Sequence, residues 1–188
     1  MLASGAGTNL QALLDSGIEG IRVVISDVAD ALAVRRATEA SIPTEIVPFA
    51  NNRSAFTEKI CEAAAKYGAE ALVLAGFMRV LGPAAIERFP HRILNIHPSL
   101  LPAFPGVNAV SQALSHGVTI TGVTVHFVDE KIDHGPIIAQ RAVPVLPGDD
   151  EESLHARIQK VEHDLYPRVV AAFLQGDVLV EQGKVVLR

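Results

Sequence analysis

Three residues in this chain of 188 have side chains suited to moving protons and holding charge at a polarised carbonyl: Asn95, His97 and Asp133. Asn95 and His97 lie two apart at the end of the apolar run Arg92-Ile93-Leu94, and side chains at that spacing on a strand share a face. Pro98 removes a backbone donor and holds His97 to extended geometry. Asp133 sits in a turn before Gly135-Pro136, between two strand-like runs, where it can point back toward a sheet edge. A carboxylate beside an imidazole favours the charged ring and makes His97 the better proton donor. Asn95 offers an N–H to an oxygen that gains charge, and one such donor is worth about 3 kcal/mol. The set suits acyl transfer without an enzyme nucleophile. Against it stands a plainer reading, a strand end with a capping Asn and a surface His.

A second candidate is Ser4-Gly5-Ala6-Gly7-Thr8-Asn9. Two glycines let the backbone approach a ligand closely, and the helix that follows opens with free N–H groups, so the turn has the logic of an anion nest. The competing reading is an ordinary strand-to-helix turn capped by Thr8 or Asn9. The turn lacks the third glycine of a dinucleotide fingerprint and the lysine of a P-loop. Other chemistries fit poorly. Ser99 is near His97 but no GxSxG elbow surrounds it. Seven His form no HExxH or close His/carboxylate helix pair, so no metal is expected.

The elements that must hold these groups read as alternating strands and helices. Met1-Leu2-Ala3 ends a strand that is short for its kind, which suggests that residues upstream of Met1 are absent or that the start was chosen late. A helix follows from Leu10 toward Gly17, then a strand over Ile21–Ser26, a helix over Asp30–Ala40 and a strand over Thr44–Val47. Ser54 caps a helix to Tyr67, Ala71–Ala75 is the most apolar strand, and Pro83 opens a helix to Phe89. Gly76-Phe77-Met78-Arg79-Val80-Leu81 is a loop that exposes hydrophobes. After the central strand comes a proline-rich turn, Pro98 to Gly106, in which Leu101-Pro102 or Phe104-Pro105 is a candidate cis bond. A helix runs from Val107 to His116. Thr121–Val128 alternates, with Val123, Val125 and Phe127 on one side and Thr124 and His126 on the other. Ile137–Val143 is its neighbour. Asp149-Asp150-Glu151-Glu152 suits the positive end of a long helix, Ser153–Gln175, which Pro167 should kink. Val178–Leu187 reads as a hairpin around Gln182-Gly183. Alternation to about residue 117 implies a parallel sheet with right-handed crossovers, and the remainder looks antiparallel. The whole is an α/β single domain, with a nucleotide-binding half over 1–117 and a second half over 118–188. Sites in such sheets lie at the carboxyl ends of strands.

Composition sets bounds on partners. The hydrophobic share of 49% and charged share of 20% can fill a sizeable core. A net charge of −5 and no basic block argue against nucleic acid. The single Cys61 excludes an internal disulfide, and no apolar run reaches membrane-span length, so a cytoplasmic protein is expected. Cys61 reads as buried filler.

Asn95-Ile96-His97-Pro98-Ser99-Leu100-Leu101-Pro102, then Gly106, then Asp133-His134-Gly135-Pro136, resembles the formyltransferase family that uses 10-formyltetrahydrofolate. Ser4 to Leu10, Gly76-Phe77-Met78-Arg79 and the run from Gln159 to Tyr166 narrow the resemblance to members that act on glycinamide ribonucleotide in purine synthesis. It spans nearly the whole chain. The resemblance implies a Rossmann-like fold, mostly parallel with helices on both faces, and direct transfer of a formyl group from the folate co-substrate to the glycinamide amine. It implies His97 as general acid, Asn95 at the oxyanion, and Asp133 tuning His97 and ordering a water. It puts the nucleotide phosphate on Gly7, Thr8 and Asn9, and its ribose and glycinamide end on Gln159 and Glu162. It puts the folate along Arg53, Met78, Arg79, Val80 and Leu81, beside Asn95, and along Asp129, Glu130, Lys131, Ile132 and Asp133. Thr124 and His126 are supports. Asn108 departs from the family's usual His. Small-molecule partners alone are implied, with a homodimer left open. Two relatives compete: a formyltetrahydrofolate hydrolase, expected to carry a regulatory domain, and a methionyl-tRNA formyltransferase, expected to carry a basic one. A nucleotide-binding module without catalysis is the third alternative.

Overall fold

The computed structural model describes all residues, 1–188, and divides into two compact units, Met1–Asn95 and Ile96–Arg188. In the first, α1 (Thr8–Asp15), β1 (Val24–Ser26), α2 (Leu32–Glu39), β2 (Thr44–Ile46), α3 (Arg53–Lys66), β3 (Leu72–Leu74) and α4 (Pro83–Arg88) follow in order, and β4 (Ile93–His97) carries the chain into the second. β1 pairs in parallel with β2, and β3 with the first three residues of β4. What was expected to be a terminal strand is a single bridging residue: Leu2 pairs in parallel with both Ile25 and Leu74. Leu2 donates to Val73 and accepts from Ala75, while Ala3 donates to Ile25. The segment thus joins the β1–β2 pair to the β3–β4 pair, and Leu2 is wholly buried there. β1 and β3 are buried along their length, as interior parallel strands are.

Helix starts differ from the expected ones for local reasons. The cap of α1 is Gly7, in left-handed geometry at φ 68°, with no side-chain cap bond; Thr8 lies inside the helix. α3 is capped by Asn52, whose side chain accepts from the Ala55 N–H at 3.0 Å, so Ser54 falls within the first turn. α4 opens on Pro83 as expected.

The second unit contains α5 (Ala109–Ser115), β5 (Ile120–Phe127), β6 (Ile137–Pro144), α6 (Glu151–Gln175), β7 (Val178–Glu181) and β8 (Lys184–Leu187). β5 and β6 are antiparallel, with a register shift at Val125/His126. Both faces of β5 are buried, so its alternation separates two interiors rather than an inside from an outside. α5 starts two residues later than its apolar pattern suggests, because Asn108 sits at φ 59° just ahead of it. α6 starts two residues earlier than expected. Asp150 and Ser153 form a capping box, which brings Glu151 and Glu152 into the first turn, where the helix dipole favours them. The helix continues through Pro167 to Gly176. β7 and β8 form the expected hairpin, with Gln182 and Gly183 both at positive φ in the turn. The Leu101-Pro102 bond is cis. Cys61 is buried.

Candidate active site

His97 ends β4, and its ring is almost fully buried. Its Nε2 lies 2.8 Å from the carbonyl oxygen of Phe104. A carbonyl can only accept, so the ring donates from Nε2. Its Nδ1 faces Asp133 Oδ2 at 3.3 Å. The expected carboxylate is therefore in direct reach of the imidazole. Both ring nitrogens face oxygens, and the doubly protonated ring is the form that donates to both.

Asp133 is held from three sides. The Gly106 N–H donates to Oδ2 at 2.8 Å, and His126 Nε2 stands 3.6 Å from Oδ1. His126 is turned that way because its other nitrogen donates to the Phe127 carbonyl at 2.8 Å. Burial pushes the Asp133 carboxyl up, but the hydrogen bond from His126, the Gly106 N–H and the charges of His97 and His126 outweigh it, so its pKa lies below the ordinary value. Asp133 itself sits at φ 51°. Gly135, two residues on, passes so close to the Phe127 carbonyl that a Cβ would overlap it. Sequence spacing found the imidazole and the carboxylate. It placed Phe104–Gly106 in a proline-rich turn but did not find that the Phe104 carbonyl holds His97 and the Gly106 N–H holds Asp133. The positive φ of Phe104 and Gly106 marks that turn, and no residue type announces a carbonyl's direction.

Thr124 is a buried crossing point. It donates to the Ser99 carbonyl at 2.7 Å and accepts from the Leu101 N–H at 3.0 Å and from Gln140 Nε2 at 2.9 Å. Gln140 Nε2 also donates to the Leu101 carbonyl. The turn after His97 is thereby tied to β5 and β6. Gln140 is a residue that the sequence reading missed. Asn95 lies two residues before His97 on the same strand, half-buried.

The loop Asp129–Asp133 is organised by its own first residue. Asp129 accepts from the Lys131 N–H and pairs with His134 Nδ1, both at 2.9 Å. Ile132 is exposed and Glu130 and Lys131 face solvent. Along α6, Gln159 is half-buried and Glu162 buried; burial and the Glu162 charge together push the Tyr166 hydroxyl well up.

In the first unit the Gly76–Leu81 loop is fastened at both ends. The Met78 N–H donates to Ser4 Oγ at 2.9 Å. Arg79 Nε donates to the fully buried Asp27 side chain at 2.7 Å, with its guanidinium over the Phe49 ring. Arg53, on the first turn of α3, donates to the Leu81 carbonyl, and the Gly82 N–H donates to Thr57 Oγ1. Met78 is left 71% exposed and Val80 46%, whereas the Leu81 side chain turns inward at 5%. Asp27 and Thr57 are further residues that no motif singled out. The Gly5–Asn9 turn lies against α2: Gly7 is so near Ala33 that a Cβ there would stand 2.7 Å from the Ala33 Cα.

The chain from residue 1 to residue 170 matches the family model described as formyl transferase, and it belongs to that family. It is 43% identical over 190 residues to a phosphoribosylglycinamide formyltransferase of Escherichia coli, spanning 97% of this chain and 90% of that protein. It is 47% identical over 185 residues to one from Mycobacterium tuberculosis, spanning 96% and 86%. The solved glycinamide ribonucleotide transformylase 1 of Symbiobacterium toebii superposes with a TM-score of 0.95 at 47% identity, covering 99% of this chain and 91% of that one. Within the family the chain groups with the phosphoribosylglycinamide formyltransferases, folate-dependent one-carbon transferases with a Rossmann-like α/β fold.

Proposed function

We propose that the chain formylates the glycinamide amine of glycinamide ribonucleotide, taking the formyl group from 10-formyltetrahydrofolate by direct transfer. The observation that carries this reading is the 3.3 Å contact between His97 Nδ1 and Asp133, with Nε2 already committed to a backbone carbonyl. The amine lone pair attacks the formyl carbon, the C=O bond opens to an oxyanion, and the Asn95 amide N–H meets that charge. The Nδ1 proton is the one free to move, since its contact with Asp133 is the longer of the two. His97 delivers it as the C–N10 bond breaks, and the proton released by the attacking nitrogen restores the ring. The products are the formamide and N10–H tetrahydrofolate, with no change of oxidation state. Asp133, ionised across the neutral range, keeps the ring turned and stabilises its positive form. A positioned proton donor of this kind contributes about 10²–10⁴ in rate.

By the same resemblance, Gly7, Thr8 and Asn9 take the phosphate, and Gln159 and Glu162 the ribose and glycinamide end. Met78 and Val80, apolar and exposed on a loop that is fastened at both ends, suit the flat pterin. Arg53, Arg79, Leu81 and the loop Asp129–Asp133 complete the folate contacts, with the Arg53 side chain joined to the Gly76–Leu81 loop at the Leu81 carbonyl.

The test is formyl transfer measured with and without the amine acceptor, on the unmodified enzyme and on His97→Ala. Formamide should form only with the acceptor present, and His97→Ala should lower kcat by about 10²–10⁴ with its fold unchanged. Release of tetrahydrofolate at full rate without the amine would make the chain a hydrolase and sink the proposal.

A further inference from the structure

Two consecutive carbonyls of the glycine-rich turn are captured by α2. The Ala33 N–H donates to the Gly5 oxygen at 3.1 Å, and Arg36 Nε donates to the Ala6 oxygen at 3.0 Å. A trans peptide unit is planar and carries its C=O and N–H on opposite edges. Pinning the Gly5 oxygen toward α2 therefore turns the Ala6 N–H away from it, and pinning the Ala6 oxygen turns the Gly7 N–H away as well. Successive N–H groups facing one side are what make a nest concave to an anion. The glycine residues permit this geometry, but the two bonds from α2 select it.

One of the two bonds comes from a backbone amide and survives any side-chain change. The other comes from Arg36 alone. Its guanidinium is steadied in turn by Gln11, whose Oε1 accepts from Nη1 at 2.9 Å, on the helix that the turn leads into. Gln11 is itself held by Asp15, which accepts from Nε2 at 2.7 Å. Arg36 is half-buried and spends two of its donors on the protein.

We infer that Arg36 is a positioning residue for the phosphate of the nucleotide substrate, acting through the Ala6 carbonyl, with Gln11 as its brace. The inference rests on the reading of Gly7–Asn9 as the phosphate site. With Arg36 absent, the Ala6–Gly7 peptide is free to rotate and the nest loses its preset form, so binding the phosphate must reorder it.

The experiment uses inorganic phosphate as the probe, with steady-state kinetics in both substrates on the full chain. In the unmodified enzyme, phosphate should compete with the ribonucleotide. In Arg36→Ala, the ribonucleotide KM and the phosphate inhibition constant should both rise about tenfold, the size of one charge-assisted hydrogen bond. kcat at saturation, the folate KM and the melting temperature should stay near their original values. Gln11→Ala keeps the charge and should shift the same two constants in the same direction by less, and Arg36→Lys should recover part of the loss.

Phosphate that fails to compete with the ribonucleotide in the unmodified enzyme overturns the nest as the phosphate site and this inference with it. Intact competition in Arg36→Ala overturns the role of Arg36 alone. Full recovery in Arg36→Lys together with no effect of Gln11→Ala assigns the loss to charge, and the positioning role falls.

Discussion

His97 has no idle nitrogen. One donates to the Phe104 carbonyl and the other faces a carboxylate that is itself held by Gly106 and approached by His126. Those two contacts hold the ring in one orientation. The turn after Asp133 is the tightest part of this arrangement. Gly135→Ala should cost about 1–3 kcal/mol by overpacking against the Phe127 carbonyl. It should also slow turnover, because Asp133 lies on the displaced segment. Chemical denaturation and kcat measured side by side check both parts. Full activity in a destabilised variant would mean that Asp133 holds its place without the Gly135 approach.

At the scale of the helix, the cap positions offer a direct comparison. Asn52→Ala should cost about 1 kcal/mol, because the Ala55 N–H loses its acceptor. For a chain of this size, that lowers the melting temperature by about 2–4 °C. Ser54→Ala, one residue inside α3, should leave it nearly unchanged. Thermal unfolding of the two variants decides between the caps. Asn and Ser at this spacing are equally good caps by type, and only the backbone turn selects one of them.

That ambiguity shows what the sequence could express. Helices and strands with a strong apolar period, α3, β3, β5 and the α6 interior, were legible as they stand. The β7–β8 hairpin was legible from Gln182-Gly183. His97 and Asp133 were legible because proline, glycine and spacing constrain them locally. The contacts that fasten the loops were not. Asp27 to Arg79, Thr57 to Gly82 and Gly106 to Asp133 join residues 25 or more positions apart. A side chain at one end carries no local mark of its partner.

Taken as a whole, the molecule's response to acid follows from one sign. Burial lowers the His163 pKa. Glu45 is lowered by Lys66 and Tyr67, and Asp149 by Arg157, the Leu146 N–H and Ser153. Asp150 is lowered by Ser153 and Asp133 by its hydrogen bonds and two imidazoles. Each of these groups binds its proton more weakly folded than unfolded, so each contributes stability above its ordinary pKa that is lost as pH falls toward the folded one. Resistance to urea should fall from near pH 6 on account of His163 and more steeply below about pH 4, where the carboxylates titrate. Denaturation midpoints at pH 7, 5 and 3.5 measure it, and a midpoint that rises in acid would contradict the sign. No helix is long and apolar enough to cross a membrane.

Leu2 gives this architecture a temporal order. It is hydrogen-bonded between Ile25 and Leu74, so it must wait for a partner made 72 positions after it. At about 5–20 residues per second, that delay lasts seconds, during which the Leu2 segment can pair with β1 but has nothing on its far edge. The segment is a seam stitched late with the thread laid first, and a nascent chain stalled before β3 is the state in which a chaperone would find it open.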